Sequence, residues 1–166
     1  MNPEWEQAVS DWYGAQPYGL NPEGYRTFNR EITRQYHRLT EHLDVTFTAD
    51  DPYATNCGLW ADCEHGKLKV FSGGEYDPAM GKEIGWCWRA VHDFHGHYMP
   101  RASFRSLEGE VKAFQAQVHM FSPEAQPILA ASTLGQICWF YQGGNRQYDR
   151  QRSLAMPEYL WRWLVP

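Results

Sequence analysis

The four cysteines, Cys57, Cys63, Cys87 and Cys138, form no CxxC pair, so neither a zinc ribbon nor a dithiol redox motif is written into the chain. No GxSxG elbow is present, and the SGG and QGG runs are too short to cradle a phosphate. No apolar stretch reaches the roughly 18 residues of a membrane-spanning helix. No repeat recurs at a solenoid period. Basic residues are not in excess: 15 Lys and Arg stand against 20 Asp and Glu, a formal charge of −5. That balance argues against a nucleic-acid coat or an anionic-membrane binder. With no charged-then-apolar leader at the start, the expectation is a soluble, cytoplasmic protein. The 166 residues suit a single domain, 1–166, that buries a core without disulfide or metal staples.

Aromatic residues are plentiful instead, with eight Trp, ten Tyr and eight Phe. They suit either a stiff core or the wall of a ligand pocket, and composition alone does not choose. Three of the cysteines lie in Trp- or Leu-rich surroundings, where a small buried thiol is the simple reading. The rival reading is a zinc site from Cys57, Cys63 and His65, at a spacing unusual for zinc ligands.

One local device recurs. Asn2-Pro3-Glu4, Asn21-Pro22-Glu23 and Ser122-Pro123-Glu124 each set a capping side chain before a proline and a glutamate, and Pro157-Glu158 is a weaker version. This is the chemistry of a helix start: a side-chain acceptor, a pre-set φ and a negative charge at the positive end of the dipole. From Pro22 to Leu43, Tyr25, Phe28, Ile32, Tyr36, Leu39 and Leu43 recur at steps of three and four, which predicts a long amphipathic helix. The segments 44–48 and 66–72 alternate like strands beside turn-prone residues. Helices are predicted over about 81–96, 103–121 and 123–142, with a short turn at 157–164. The polar run 143–153, carrying Arg146, Arg150 and Arg152, reads as a solvated loop. The fold expected is α+β and mainly α: a helical core with a small antiparallel β element near residues 44–72.

The chemistry concentrates in RAVHDFHGHYMP, residues 89–100, which holds three of the seven histidines. An unbroken α-helix would set His92 and His97 roughly 140° apart at 100° per residue. Gly96 suits a left-handed helix cap and Pro100 follows, so a break there would swing His97 back beside His92. Two histidines make half of a metal site, and a carboxylate commonly completes it. On the next helix the buried stripe runs through Leu107, Val111, Phe114, Val118 and Phe121. Glu110 lies about 60° from its centre and Glu108 about 100° away on the other side, which makes Glu110 the inward carboxylate. Asp93 is placed to orient a neighbour or move a proton. Gln136, on the third helix, would position a substrate or a water, or is an ordinary helix-surface glutamine. The alternative for His92 and His97 is a buried hydrogen-bonded network with Arg89, Asp93 and Glu110 that only holds helices together. His95 reads as a packing histidine, and His37, His42, His65 and His119 as surface residues.

The run from His92 to His97 with the following Pro100 resembles the HExxGH segment of the pterin-dependent aromatic amino acid hydroxylases, whose two histidines bind a mononuclear non-haem iron. LGQICWFYQGG, residues 134–144, is similar to that family's helix bearing a Trp-Phe pair, matched here by Trp139 and Phe140. Gly143 stands where that family carries its iron-binding glutamate. Over residues 44–142 the segments ADDPY, GLWADCEHGKLKVF, RAVHDFHGHYMP, EGEVKAF, MFSPEA and LGQICW resemble a group of uncharacterised phage and bacterial proteins. These share an arginine-led HDxxGH, a Gly-Glu helix and a later Gly-Gln. The resemblance matches His92, Asp93, Gly96, His97, Glu110 and Gln136, while Ser132 stands where that group carries a glutamate.

The function expected is a mononuclear metal-dependent enzyme, with His92, His97 and Glu110 as ligands to Fe(II) or Zn(II), acting on a small-molecule substrate. The alternative is a non-enzymatic, phage-type interaction protein that grips a host protein partner through an aromatic surface. A metal-free hydrolase with His92 as general base finds no nucleophile motif to support it.

Overall fold

The computed structural model describes residues 2–18, 20, 22–143 and 151–165. Helix α1, Pro3–Ala15, starts as its cap chemistry dictates, with the Asn2 side chain accepting the Glu4 backbone N–H at 2.9 Å. Helix α2, Tyr25–Thr40, buries Tyr25, Phe28, Ile32 and Leu39 along the expected stripe. It begins three residues after Pro22 because Gly24, at φ 97°, adopts a left-handed conformation that no helix interior contains. Asn21 lies outside the described residues.

Strands β1, Asp44–Thr48, and β2, Lys67–Phe71, pair in parallel, with Asp44 opposite Lys67 and Thr48 opposite Phe71. This corrects the antiparallel expectation. The cause is helix α3, Asn56–Glu64, which the turn-rich composition of residues 49–56 concealed. A crossover helix returns the chain to the end where β1 began, as parallel pairing requires. Leu59 and Cys63, four residues apart, are all that α3 buries, so its period is too short to read from sequence.

Helix α4, Gly81–Val91, packs against α2 and runs on as a π-helical segment, His92–Tyr98. Helix α5, Leu107–Gln117, packs along that segment. The last long element alternates: α6, Gln126–Ala130, a π-helical stretch to Gly135, α7, Gln136–Cys138, and a second π-helical stretch to Gly143. From Ser122 the chain first makes a turn, and regular helix begins at Gln126 with Pro127 in its first turn.

Two cores meet on α4. The larger gathers α1, α2, α5 and the last helix around Phe28, Phe114 and Trp161, with the C-terminal residues Leu154 to Leu164 as its floor. The smaller holds the sheet, α3 and Ala90 of α4. Arg152 departs from the solvated-loop expectation. It is buried, donates to the carbonyls of Tyr13, Gly14 and Gln16 at 2.5, 3.0 and 3.0 Å, and stacks on Tyr13, Tyr18 and Trp139. The last carbonyls of a helix run short of intrahelical donors; the Tyr13 carbonyl also accepts the Gln16 N–H at 3.3 Å, and this guanidinium adds a donor to it and to the Gly14 and Gln16 carbonyls. Arg146 and Arg150 lie outside the described residues. No helix among the described residues is long and apolar enough to cross a membrane.

Candidate metal centre

The π-helical segment brings the two histidines together. Its hydrogen bonds run from residue i+5 to residue i, as in Met99 N–H to Phe94 O at 2.9 Å. A turn widened in this way returns residue i+5 to the side of residue i, which an α-helix does not. His92 and His97 therefore point the same way, their Nε2 atoms 3.1 Å apart. The expected break at Gly96 does not occur, since Gly96 is not among the positive-φ residues. The left-handed residue is Arg101, at φ 54°, just beyond the segment. Its guanidinium sits over Trp60 and Tyr98 and pairs with Glu64 at 2.5 Å, which holds this disfavoured backbone in place.

Gly96 serves a different purpose. A Cβ there would lie 2.8 Å from Gln117 Oε1, 3.1 Å from His92 Nδ1 and 3.2 Å from Ala113 Cβ. The missing side chain lets α5 come close enough to meet the histidines. Glu110, buried on α5, then places Oε2 3.3 Å from His92 Nε2 and Oε1 3.5 Å from His97 Nε2. Glu108 is exposed. His92, His97 and Glu110 form the one group among the described residues able to hold a metal ion, and Cys57, Cys63 and His65 do not converge.

The rings' outer nitrogens are also satisfied. His92 Nδ1–H donates to Gln117 Oε1 at 2.7 Å, and His97 Nδ1–H to the Ala102 carbonyl at 3.3 Å. Gln117 is fully buried, and its amide nitrogen donates to the Val91 carbonyl at 3.4 Å, which decides that its oxygen faces His92. With both protons on Nδ1, both Nε2 lone pairs face each other and the carboxylate. Such an arrangement is repulsive unless a cation or proton lies between. A separation of 3.1 Å subtends about 100° at an ion ~2.0–2.1 Å from each nitrogen, between the angles of octahedral and tetrahedral sites. The donor set, two imidazoles and one carboxylate, fits Fe(II) or Zn(II).

The electrostatics follow from burial and from these neighbours. Burial opposes charge on His92, but the hydrogen bond and charge of Glu110, with Asp93 and Gln117 adding, lift its pKa above the usual value. Burial, then the adjacent His92 charge, pushes His97 down to about 4. Glu110 is held low by His92 and His97 against its own burial. The Glu110 carboxylate thus favours the charged form of His92, while His97 favours its neutral form. Asp93 is pushed up to about 7, chiefly by burial, with Glu110 and Asp51 adding and His92 and Arg89 opposing.

His92 and Glu110, with His97 buried behind them, open on a cavity of about 740 Å³, whose wall also includes Trp88, Arg89, Asp93 and Gln136. This is within the range of small-molecule pockets. Arg89 does not bond to Asp93 or Glu110. It donates to the carbonyls of Phe71, Gly73 and Glu75 at 2.8, 2.7 and 3.3 Å and straps the end of β2 to the cavity rim. The histidine–glutamate contact is therefore no part of an arginine-centred scaffold. The sequence reading missed Gln117 and the Ala102 carbonyl. Gln117 lies seven residues after Glu110, two helical turns on along one face, which is a signal that the sequence does carry. In comparisons with known protein families, curated proteins and solved structures the chain finds no match, and its site stands on its own geometry.

Proposed function

We propose that the protein is a metal-dependent enzyme in which His92, His97 and Glu110 hold one divalent transition ion, Fe(II) or Zn(II), beside a cavity that admits a small-molecule substrate. The observation that carries this reading is the pair of Nε2 atoms 3.1 Å apart over a buried carboxylate, with each Nδ1 proton already committed to an oxygen. Fe(II) would supply oxygen chemistry at its open positions, whereas Zn(II) would acidify a water for hydrolysis.

The remaining roles belong to the chain. Asp93 stands on the cavity wall next to His92 and has no hydrogen-bond partner within the described protein, so it is the carboxyl that can take or give a substrate proton. The Gln136 amide lines the same cavity and makes no side-chain hydrogen bond within the described protein, which suits it to orient a substrate. Trp88 lies against the His92 ring, with centroids 5.0 Å apart, and keeps water from that side of the imidazole.

Elemental analysis tests the proposal after reconstitution of metal-stripped protein with iron and with zinc. About one equivalent is expected, and less than about a tenth of an equivalent of either metal refutes it. The interaction-protein reading draws on two aromatic side chains on the C-terminal surface, Tyr159 and Trp163, which are 76% and 58% exposed. His92→Ala with His97→Ala separates the two: the enzyme loses metal and activity with its fold intact, whereas an adaptor keeps its partner.

A further inference from the structure

We infer that Gln117 is the positioning residue of the metal centre: its carbonyl oxygen holds the His92 proton on Nδ1 and so keeps the Nε2 lone pair aimed at the ion. The inference rests on the metal reading above and deepens it. Three observations carry it. Gln117 is fully buried, its oxygen is 2.7 Å from His92 Nδ1, and its nitrogen is tied to the Val91 carbonyl, so the amide has one orientation and one acceptor to offer. The alternative tautomer would carry its proton on Nε2, where it blocks the ion. It would also turn the bare Nδ1 lone pair against the amide oxygen, two acceptors 2.7 Å apart, with the amide fully buried.

The fold is arranged around this bond. On α5, Glu110, Ala113 and Gln117 share one face: a carboxylate ligand, a spacer and an amide. The spacer is a fully buried alanine, and opposite it stands Gly96, where any side chain would press on both the Gln117 oxygen and the His92 ring. His97 has its counterpart in the Ala102 carbonyl, supplied by backbone and beyond the reach of side-chain substitution. Gln117 is thus the one orienting group that evolution or mutagenesis can change without touching a ligand.

The test compares wild type with Gln117→Leu, Gln117→Glu and Gly96→Ala, each checked for fold by circular dichroism. Zinc affinity is measured by chelator competition, and the low-field Nδ1–H resonance of His92 is followed by NMR on zinc-loaded protein. Gln117→Leu is expected to weaken zinc binding about 10–100-fold, the usual effect of losing such a partner, and to lose the protected resonance. Gln117→Glu keeps an acceptor at the same reach, its protonated oxygen replacing the amide nitrogen as donor to the Val91 carbonyl, and is expected to restore both. Gly96→Ala removes no polar group but pushes the amide aside, and is expected to weaken binding in the same direction; this keeps the test decisive if the leucine variant misfolds. Unimpaired binding by Gln117→Leu, or a glutamate variant no better than the leucine one, overturns the inference while the metal reading stands. A wild-type protein that takes up no zinc or iron overturns both.

Discussion

A bound ion should raise the melting temperature, and the structure sets the scale of the effect. His92 and His97 lie on the π-helical segment and Glu110 lies on α5, so an ion held by all three ties two packed elements together. In the unfolded chain Glu110 is 13 and 18 positions from the histidines, and the convergent site is lost. Binding to the folded state alone stabilises by about 2.7 kcal/mol when free metal is about 100 times its Kd. At about 2–4 °C per kcal/mol for a chain of this size, the expected shift is about 5–11 °C. The assay is thermal unfolding of chelator-stripped protein with and without zinc, cobalt or anaerobic iron(II). Glu110→Gln, which keeps the shape but removes the charge, should lose most of the shift, and His92→Ala with His97→Ala should lose all of it. An equal shift in the double variant would place the ion elsewhere, and no shift with any of the three ions would refute the convergent-ligand argument.

Two further outcomes follow from burial. Cys63 and Cys138 are pushed up to about 12, chiefly by desolvation, so almost no thiolate exists at either even at pH 9.5, whereas Cys57 is exposed. A thiol reagent added to folded protein at that pH should modify Cys57 quickly and leave Cys63 and Cys138 until denaturant is added; rapid labelling of Cys138 would contradict its burial. Arg152→Leu removes the guanidinium donor from the Gly14 and Gln16 carbonyls and one of the two donors from the Tyr13 carbonyl, which keeps the Gln16 N–H; this should cost about 3 kcal/mol and lower the melting temperature by about 6–12 °C, read by calorimetry. A change within experimental error would show that water replaces the guanidinium at the end of α1.

Which features were legible in the sequence depended on how local their cause is. The Asn2-Pro3-Glu4 cap, the α2 stripe and both strands rest on neighbours within a turn or two along the chain, and each is found where the pattern puts it, α2 starting three residues late at Gly24. Glu110 was separable from Glu108 by helical geometry alone, because a stripe of large apolar residues fixes which way α5 faces the core. His92 and His97 were recognisable as a pair from their spacing. Tertiary packing decided the rest. The parallel register of β1 and β2 depends on a helix too short to show a period. Arg152 is buried because the end of α1, far away in sequence, needs donors. The histidines converge through a widened π turn, a hydrogen-bond register that no single residue type encodes, and Gly96 acts through the room it leaves for α5. Local propensity can single out His92, His97 and Glu110, but their convergence is a property of two helices in contact, and a contact exists only once the chain has folded.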